Sequence, residues 1–161
     1  GVSVGDRDLV RAQLPEHGFE TNFWKLAIRP GKPLMFGHLD GVPLIGLPGN
    51  PVSALLTAQL FVVPALLRLQ GMPGDALEPP LQPARLAAAL PENGARKSWL
   101  RAKIERNGEG MPLARPLVGQ DSAQLSSLAV ADAFIVRPAH APAAEAGTII
   151  DTLPLDPWPT I

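Results

Sequence analysis

The sequence predicts an α/β segment followed by a small all-β, barrel-like domain, and three observations support this prediction. Short apolar segments alternate with one long apolar helical stretch over the first 70 residues, which is the pattern of an α/β arrangement. Residues 71–83 then contain four prolines and two glycines, as linkers often do. After them, strand-like segments follow at nearly regular spacing. We therefore expect two domains, residues 1–74 and 75–161.

The first domain is expected to contain one short helix and three strands before its long helix. The expected helix and strands cover residues 8–14, 23–28, 34–37 and 42–46. Pro15 is expected to close the short helix and Pro30 to end the first strand, because proline lacks a backbone N–H group. Asp40-Gly41, between the last two strands, is a hairpin signal.

Residues 52–70 predict a long helix with no internal glycine. Apolar side chains cover this helix nearly all round, which favours burial. Pro64 predicts a kink or a break into two pieces. Gly71 is expected to end the helix.

The second domain is expected to be all-β. Its predicted strands cover residues 85–90, 98–106, 111–118, 133–137 and 148–153. Asn107-Gly108 separates two of them, and this dipeptide is a strong hairpin signal. Short strands at such spacing favour a small barrel or sandwich.

Composition and charge exclude several classes of protein. The net charge of −1 does not suit a general polyanion-binding surface, so we expect no nucleic-acid partner. The absence of cysteine excludes a disulfide scaffold, a zinc–thiolate site and a cysteine nucleophile. No uninterrupted apolar run approaches ~18 residues, so we expect no membrane-spanning helix. His17, His38 and His140 lack the spacing of metal ligands.

The sequence Gly-Leu-Pro-Gly-Asn-Pro-Val-Ser at residues 46–53 joins an apolar strand to the long helix. Pro51 suits a first helical position, and Asn50 before it is a good N-cap. Free backbone N–H groups at this helix start would face outward and attract a phosphate or another oxyanion. The alternative is an ordinary strand-to-helix turn with good capping.

Two further segments carry charges that suit the chemistry of an anionic ligand. Lys25, Arg29 and Lys32 surround a Pro-Gly turn, and on a simple strand Lys25 and Arg29 would share one face. They predict a compact positive pocket, or alternatively a solvated basic surface. Asp6 and Asp8 follow a glycine-rich turn and suit either a Mg²⁺ site near a phosphate or simple helix capping.

Three segments together resemble the molybdopterin molybdenumtransferase family, which includes MoeA-like proteins and the C-terminal domain of gephyrin. The segments are Gly-Val-Ser-Val-Gly-Asp-Arg-Asp at residues 1–8, Lys-Leu-Ala-Ile-Arg-Pro-Gly-Lys-Pro at 25–33, and Leu-Pro-Gly-Asn-Pro-Val-Ser at 47–53. The resemblance implies that the first domain is the C-terminal half of a molybdopterin-binding three-layer domain. The chain would then be a fragment, and we expect it to be inactive by itself.

The resemblance also implies an activity, the insertion of molybdate into adenylated molybdopterin with release of AMP. Asp8 matches the family's active-site acid and would hold Mg²⁺ or orient the hydrolytic water, and Asp6 is a weaker match for the metal. Lys25 and Arg29 would be catalytic cations. The substrate-binding residues would be Lys32, Pro48, Gly49, Asn50, Pro51, Ser53, Arg101 and Ser122.

Two of these assignments depart from the family pattern. The family has a Phe-x-Arg-like element where this chain has Trp99-Leu100-Arg101. It has a Gly-Ser-His-like element where this chain has Asp121-Ser122-Ala123. The alternatives to a substrate-binding role are a barrel-surface arginine for Arg101 and a turn serine for Ser122.

By resemblance, the protein would be a cytoplasmic homodimer with its active site between subunits, and a molybdopterin-adenylating protein would be a further partner. We expect no membrane partner. The alternative is a non-catalytic molybdopterin-binding module or a gephyrin-like scaffold. The all-β domain argues against the stand-alone adenylating class, which lacks such a domain.

Overall fold

A computed structural model describes residues 13–106, 108 and 110–156 of the chain. This part contains a three-stranded antiparallel sheet, a long helix and a closed five-stranded barrel, which confirms the expected α/β segment and barrel-like domain. The segment 1–8 and most of the expected helix 8–14 lie outside the described residues. A 3-10 turn, Leu14–His17, contains Pro15, so Pro15 lies within a helical turn and does not close one.

The first sheet contains strands β1 (Phe19–Trp24), β3 (Met35–Leu39) and β4 (Val42–Gly46) in the order β1-β3-β4. The predicted β3–β4 hairpin is confirmed. Asp40 and Gly41 have φ angles of 51° and 78°, because the favoured two-residue hairpin turn needs positive φ at both positions. Gly37 packs so closely under β1 that a Cβ there would lie 2.3 Å from the Glu20 carbonyl oxygen.

The predicted strand over residues 23–28 is wrong in its bounds. Strand β1 ends at Trp24, and Lys25 has a φ of 87°, a left-handed conformation that cannot continue a strand. The chain turns there, and Ile28–Arg29 form a separate strand, β2, which pairs in parallel with the barrel strand at Lys97 and Ser98.

The long helix, α1 (Pro51–Leu69), consists of two α-helical segments, Pro51–Thr57 and Val63–Leu69, with a π-helical turn, Ala58–Val62, between them. The interruption that Pro64 predicts is therefore present, because proline cannot donate the bond that would continue a regular α-helix. Gly71 follows the helix with a φ of 92°, as expected for a glycine past a C-terminus.

Burial all round the helix is not observed. Val52, Leu56 and Leu67 are buried, whereas Leu66 and Leu69 are 50% and 76% exposed. Among the residues that the structure describes, none covers these two side chains at the last turn of the helix.

By length and composition alone, α1 could cross a membrane, which differs from the expectation from sequence. Core helices of soluble proteins meet the same criterion, and the polar side chains of Ser53, Thr57 and Gln59 are buried inside the molecule.

The barrel consists of strands β5 (Gln82–Leu86), β6 (Lys97–Glu105), β7 (Leu113–Pro116), β8 (Ala133–Arg137) and β9 (Ile149–Pro154). Their order is β6-β7-β5-β9-β8, and β8 pairs again with β6 to close the barrel. A short helix, α2 (Leu125–Ala129), precedes β8. The predicted first strand, 85–90, lies too late in the sequence, because the observed strand is Gln82–Leu86. Leu90 forms only an isolated bridge with Ala144.

Small residues fill the narrow interior of the barrel. Ala84, Ala102 and Ala114 are fully buried beside Leu86 and Ile135. Interior positions of small barrels alternate small and large side chains so that the strands can close.

The outer face of the barrel packs against the start of α1. Trp99 and Phe134 form a buried cluster with Val52 and Leu56 of the helix. This cluster fixes the start of α1 beside the barrel and thereby positions the loops on both sides of the cavity described next.

Candidate active site

A cavity of about 620 Å³ lies where the start of α1, the Pro-Gly turn after β2 and two barrel loops meet. Its volume is that of a site for a small molecule. The residues that line it are Arg29, Pro30, Gly31, Lys32, Pro33, Pro48, Gly49, Asn50, Ser53, Arg96, Gln120, Asp121 and Ser122.

The Pro-Gly turn supplies Arg29 and Lys32 to one wall. Gly31 has a φ of 100°, and a Cβ at this position would lie 2.7 Å from the Thr57 side chain. Only glycine therefore lets the turn pack closely on α1. The Leu26 N–H donates to the Lys32 carbonyl at 2.8 Å, which closes the turn and holds both cations at the cavity.

Lys25 does not line this cavity. Its ammonium group lies 3.8 Å from the ring centroid of Trp24, a cation–π contact. Lys25 and Arg29 do not share a strand face, because β1 ends at Trp24 and Arg29 lies in the separate strand β2.

The helix start forms a second wall, and it differs from the expectation in one respect. Asn50 occupies the N-cap position and Pro51 begins the helix, as predicted, but the Asn50 side chain makes no capping bond. Its amide donates instead to the Ser122 hydroxyl at 2.9 Å. The Val52 N–H donates to the Ser122 carbonyl at 3.4 Å, so this N–H is not free to bind an anion.

The loop after β7, residues 117–124, forms a third wall through Gln120, Asp121 and Ser122. Asp121 stabilises the loop locally, because its carboxylate accepts a bond from the Ala123 N–H at 2.9 Å. Its carbonyl accepts one from the Gln124 N–H at 3.2 Å. Ser122 then connects this loop to the helix start.

Arg101 lies behind this loop and is 1% exposed. Its guanidinium donates to the carbonyls of Gly119 and Asp121, each at 2.8 Å. Burial lowers the pKa of Arg101 from its ordinary value, and the nearby charge of Asp121 partly offsets this shift. Arg101 borders only a small neighbouring space that Arg29 and Trp99 also line.

Arg96 is a cavity residue that sequence reasoning missed. It lies on the barrel side, directly before β6. The available signal was weak, a basic pair at Arg96-Lys97 before an apolar strand. Its position depends on the parallel pairing of β2 with β6, in which the Lys97 N–H donates to the Ala27 carbonyl at 2.9 Å.

The predicted site residues therefore divide into three groups. Those that line the cavity are Arg29, Lys32, Pro48, Gly49, Asn50, Ser53 and Ser122. Those described but not lining it are Lys25, Pro51 and Arg101. Asp6 and Asp8 lie outside the described residues.

The charged residues of the cavity wall suit an anionic small molecule. Arg29, Lys32 and Arg96 are cationic, and Asp121 is the one acidic residue among those that line the cavity in the described part of the chain. Arginine can bind an oxyanion with two parallel hydrogen bonds, whereas lysine acts as a point charge.

The described residues do not fit a magnesium site by themselves. Residues 13–106, 108 and 110–156 contain no cluster of three His, Cys, Asp or Glu side chains. Mg²⁺ is bound in proteins through carboxylate oxygens and water, and one Asp121 oxygen is already used by the Ala123 N–H.

Two family profiles match the chain, over separate ranges. Residues 1–68 match the profile described as "Probable molybdopterin binding domain". Residues 83–155 match the profile described as "MoeA C-terminal region (domain IV)". Fold and profiles thus define the class, a segment similar to that domain joined to a MoeA-type C-terminal barrel.

Curated relatives narrow this class to one family. A molybdopterin molybdenumtransferase of Haemophilus influenzae is 38% identical over 84% of this chain and 33% of the relative. One of Bacillus subtilis is 32% identical over 95% of this chain and 35% of the relative. The chain belongs to the molybdopterin molybdenumtransferase family, and it spans about a third of the length of these two relatives.

Solved structures agree with this assignment. A molybdopterin biosynthesis moea protein from Pyrococcus horikosii superposes with a TM-score of 0.74 at 32% identity, covering 94% of this chain and 36% of that one. A molybdenum cofactor biosynthesis protein from Pyrococcus furiosus has a TM-score of 0.65 at 24% identity, covering 92% and 55%. The second similarity supports the fold alone.

Proposed function

We propose that the protein containing this chain is an enzyme that inserts molybdate into adenylated molybdopterin and releases AMP. The observation that carries the proposal is the cavity in which Arg29 and Lys32 of one wall face the same space as Arg96 of the barrel. Both substrates are anions, and fixed cations in a partly enclosed site stabilise charge that develops during phosphate and oxyanion chemistry.

In this proposal the cavity walls have separate tasks. Arg29, Lys32 and Arg96 neutralise molybdate and the substrate's phosphate groups. Pro48, Gly49 and Asn50 shape the base of the pocket, and Ser53 and Ser122 are further polar groups for the substrate. Lys25 stays a proposed catalytic cation on the strength of the family resemblance, although it lies beside Trp24.

The metal and the hydrolytic water are assigned to residues outside the described part. Asp8, with Asp6 as a weaker second, would supply carboxylate to Mg²⁺ or orient the water. When bound, Mg²⁺ would neutralise phosphate charge. Asp121 alone does not replace these residues, because one carboxylate oxygen is already hydrogen-bonded within its own loop.

The assembly belongs to the same proposal. We propose a cytoplasmic homodimer whose active site includes residues of both subunits, with a molybdopterin-adenylating protein as the source of the substrate. The scaffold alternative has less support, because the relatives at 32 to 38% identity quoted above carry the transferase name. A gephyrin of Dictyostelium discoideum is 30% identical over 98% of this chain and 25% of the relative.

The test uses the longer protein that contains this chain, supplied with molybdate and adenylated molybdopterin. Lys32→Gln and Arg96→Gln should each lower AMP release about 10- to 150-fold, the loss expected for one charge-assisted hydrogen bond of ~1.5–3 kcal/mol. Arg68→Gln is the matched control, because Arg68 is exposed on α1, bonds to the Met72 carbonyl and does not line the cavity. Equal turnover in all three variants would contradict the proposed site.

A further inference from the structure

Arg101 is buried and hydrogen-bonded to a loop. Its guanidinium donates to the carbonyls of Gly119 and Asp121, each at 2.8 Å, and makes a longer contact of 3.5 Å with the Gln124 carbonyl. The side chain is 1% exposed and does not line the 620 Å³ cavity. These contacts do not fit the substrate-binding role that the family resemblance implies for this residue.

Gln120 fixes the same loop to the backbone of Arg101. Its side-chain oxygen accepts a bond from the Arg101 N–H at 2.9 Å, and its amide donates to the Arg101 carbonyl at 3.0 Å. The amide also donates to the Leu117 carbonyl at 2.8 Å. The loop is therefore attached to the middle of β6 through both the backbone and the side chain of one residue.

The attached loop carries polar groups into the cavity. Asp121 and Ser122 line it, and Ser122 contacts the helix start through Asn50 and Val52. A displacement of the loop would move Ser122 away from the helix start. In an enzyme site, a misplacement of ~1 Å can cost ~10²-fold in rate.

We propose that Arg101 is a positioning residue, which with Gln120 sets the distance between the loop 117–124 and the start of α1 and so gives the cavity its shape. The proposal rests on the proposed function for its effect on activity. Arginine suits this task because its rigid planar fork presents separate N–H groups to two carbonyls at once, whereas lysine carries a compact point charge on a flexible stem.

The barrel offers a matched control in Arg137. It is also buried, at 5% exposure, and its guanidinium also donates to loop carbonyls, those of Pro91 and Pro142. Neither carbonyl belongs to a residue that lines the cavity. Arg101→Lys and Arg137→Lys therefore remove the same kind of interaction from the same barrel. Arg101 holds carbonyls of the cavity loop 117–124, whereas Arg137 holds carbonyls of residues that do not themselves line the cavity.

The first measurement is amide hydrogen exchange of the longer protein without substrates. In Arg101→Lys, exchange should accelerate at least tenfold in peptides that cover residues 117–124 and 50–54. In Arg137→Lys, it should accelerate around residues 91–93 and 137–142 and stay unchanged at the cavity loop. Unchanged exchange at 117–124 in Arg101→Lys would overturn the proposal, whatever the enzyme's activity.

The second measurement is AMP release, with kcat and the KM for molybdate determined separately below the melting temperature. Arg101→Lys should lower kcat/KM at least tenfold, Gln120→Leu should lower it in the same direction, and Arg137→Lys should leave it within twofold. Normal kcat/KM in Arg101→Lys, despite faster exchange, would overturn the positioning role. If the unmodified protein releases no AMP, the proposed function fails, and hydrogen exchange still decides whether Arg101 fixes the loop.

A double variant separates positioning from direct contact. If Arg101 acts through Ser122 and its loop, Arg101→Lys should cost less than threefold in kcat/KM once Ser122→Ala is present. If Arg101 touched the substrate itself, the two losses would multiply, because independent contacts add in free energy. Full multiplication would overturn the proposal.

Discussion

The barrel and the helix–hairpin part (residues 13–70) bury apolar surface in different ways. In the barrel, β8 pairs with β6 and closes the sheet, so Phe134 and Ile135 are both fully buried, one on each side of the barrel wall. The three-stranded sheet of the other part is open, and α1 leaves Leu66 and Leu69 exposed. Closure removes sheet edges, whereas a small open sheet depends on what covers its faces.

The two parts nevertheless share one buried cluster. Val52 and Leu56 of α1 are buried in a cluster with Trp99 and Phe134 on the outer face of the barrel. The beginning of α1 is therefore covered by the barrel, whereas Leu66 and Leu69 near the end of the helix are exposed. Substitutions should therefore have unequal effects along the chain.

Phe134→Ala should have the largest effect on stability. Phe134 is fully buried in the shared cluster, and truncation of a buried Phe costs about 3–5 kcal/mol through lost burial and the cavity left behind. Leu69→Ala, at a side chain that is 76% exposed, should change stability by less than about 0.5 kcal/mol. Denaturant midpoints of the longer protein measure both. Equal losses would contradict the unequal burial of the two parts.

Gly37→Ala should have the next largest effect, and it tests the open sheet. A Cβ at Gly37 would lie 2.3 Å from the Glu20 carbonyl oxygen and 2.4 Å from the Phe19 ring. Both must move, which costs about 1–3 kcal/mol. Gly94→Ala is the control, because its Cβ would meet no atom within 4 Å. The melting temperatures of both variants provide the test. If both equalled that of the unmodified protein, the close approach of β1 and β3 would be refuted.

The smallest expected effect is a pH dependence on the barrel surface. Burial alone would raise the pKa of Asp132, but bonds from the Lys103 ammonium and the Ile104 N–H, each 2.8 Å long, together with the Lys103 charge, hold this pKa below its ordinary value. A lowered folded pKa stabilises the protein above the unfolded value of about 4, and this contribution is lost as pH falls through the folded pKa.

Asp132→Asn should therefore lower the free energy of unfolding at neutral pH. It should also make this free energy fall less steeply as the pH drops below about 4. Lys103→Met should weaken the same pH dependence of stability, because this substitution removes the charged partner of Asp132. The effect is small because the two side chains are 50% and 37% exposed and water screens the pair. Urea midpoints measured from pH 7 to pH 2 provide the test, and an unchanged profile in both variants would show that the ion pair does not contribute.

Local features of this fold were predictable from the sequence, and long-range pairings were not. The Asp40-Gly41 turn and the helix start at Pro51 depend on a few neighbouring residues, and both are present. The left-handed backbone at Lys25 has no such signal, since lysine rarely adopts it. The extra strand β2 could not be predicted because its partner, β6, lies about 70 residues further along the chain.

The candidate site shows the same division. Arg29 and Lys32 were predictable because they flank a recognisable Pro-Gly turn. Arg96 was missed because only the β2–β6 pairing brings it to the cavity. The Asn50–Ser122 bond joins residues 72 positions apart, so the sequence suggested a capping role for an asparagine that in fact connects two walls.

The parallel pairing of β2 with β6 also has a consequence for ligand affinity. Arg29 is held next to Ser98 by backbone hydrogen bonds, so the turn that carries Arg29 and the strand that follows Arg96 form one preorganised unit. A ligand that bridges these two cations does not have to close a hinge, and its affinity is not reduced by the population of an open state. The entropy of binding should accordingly contain little contribution from ordering the protein.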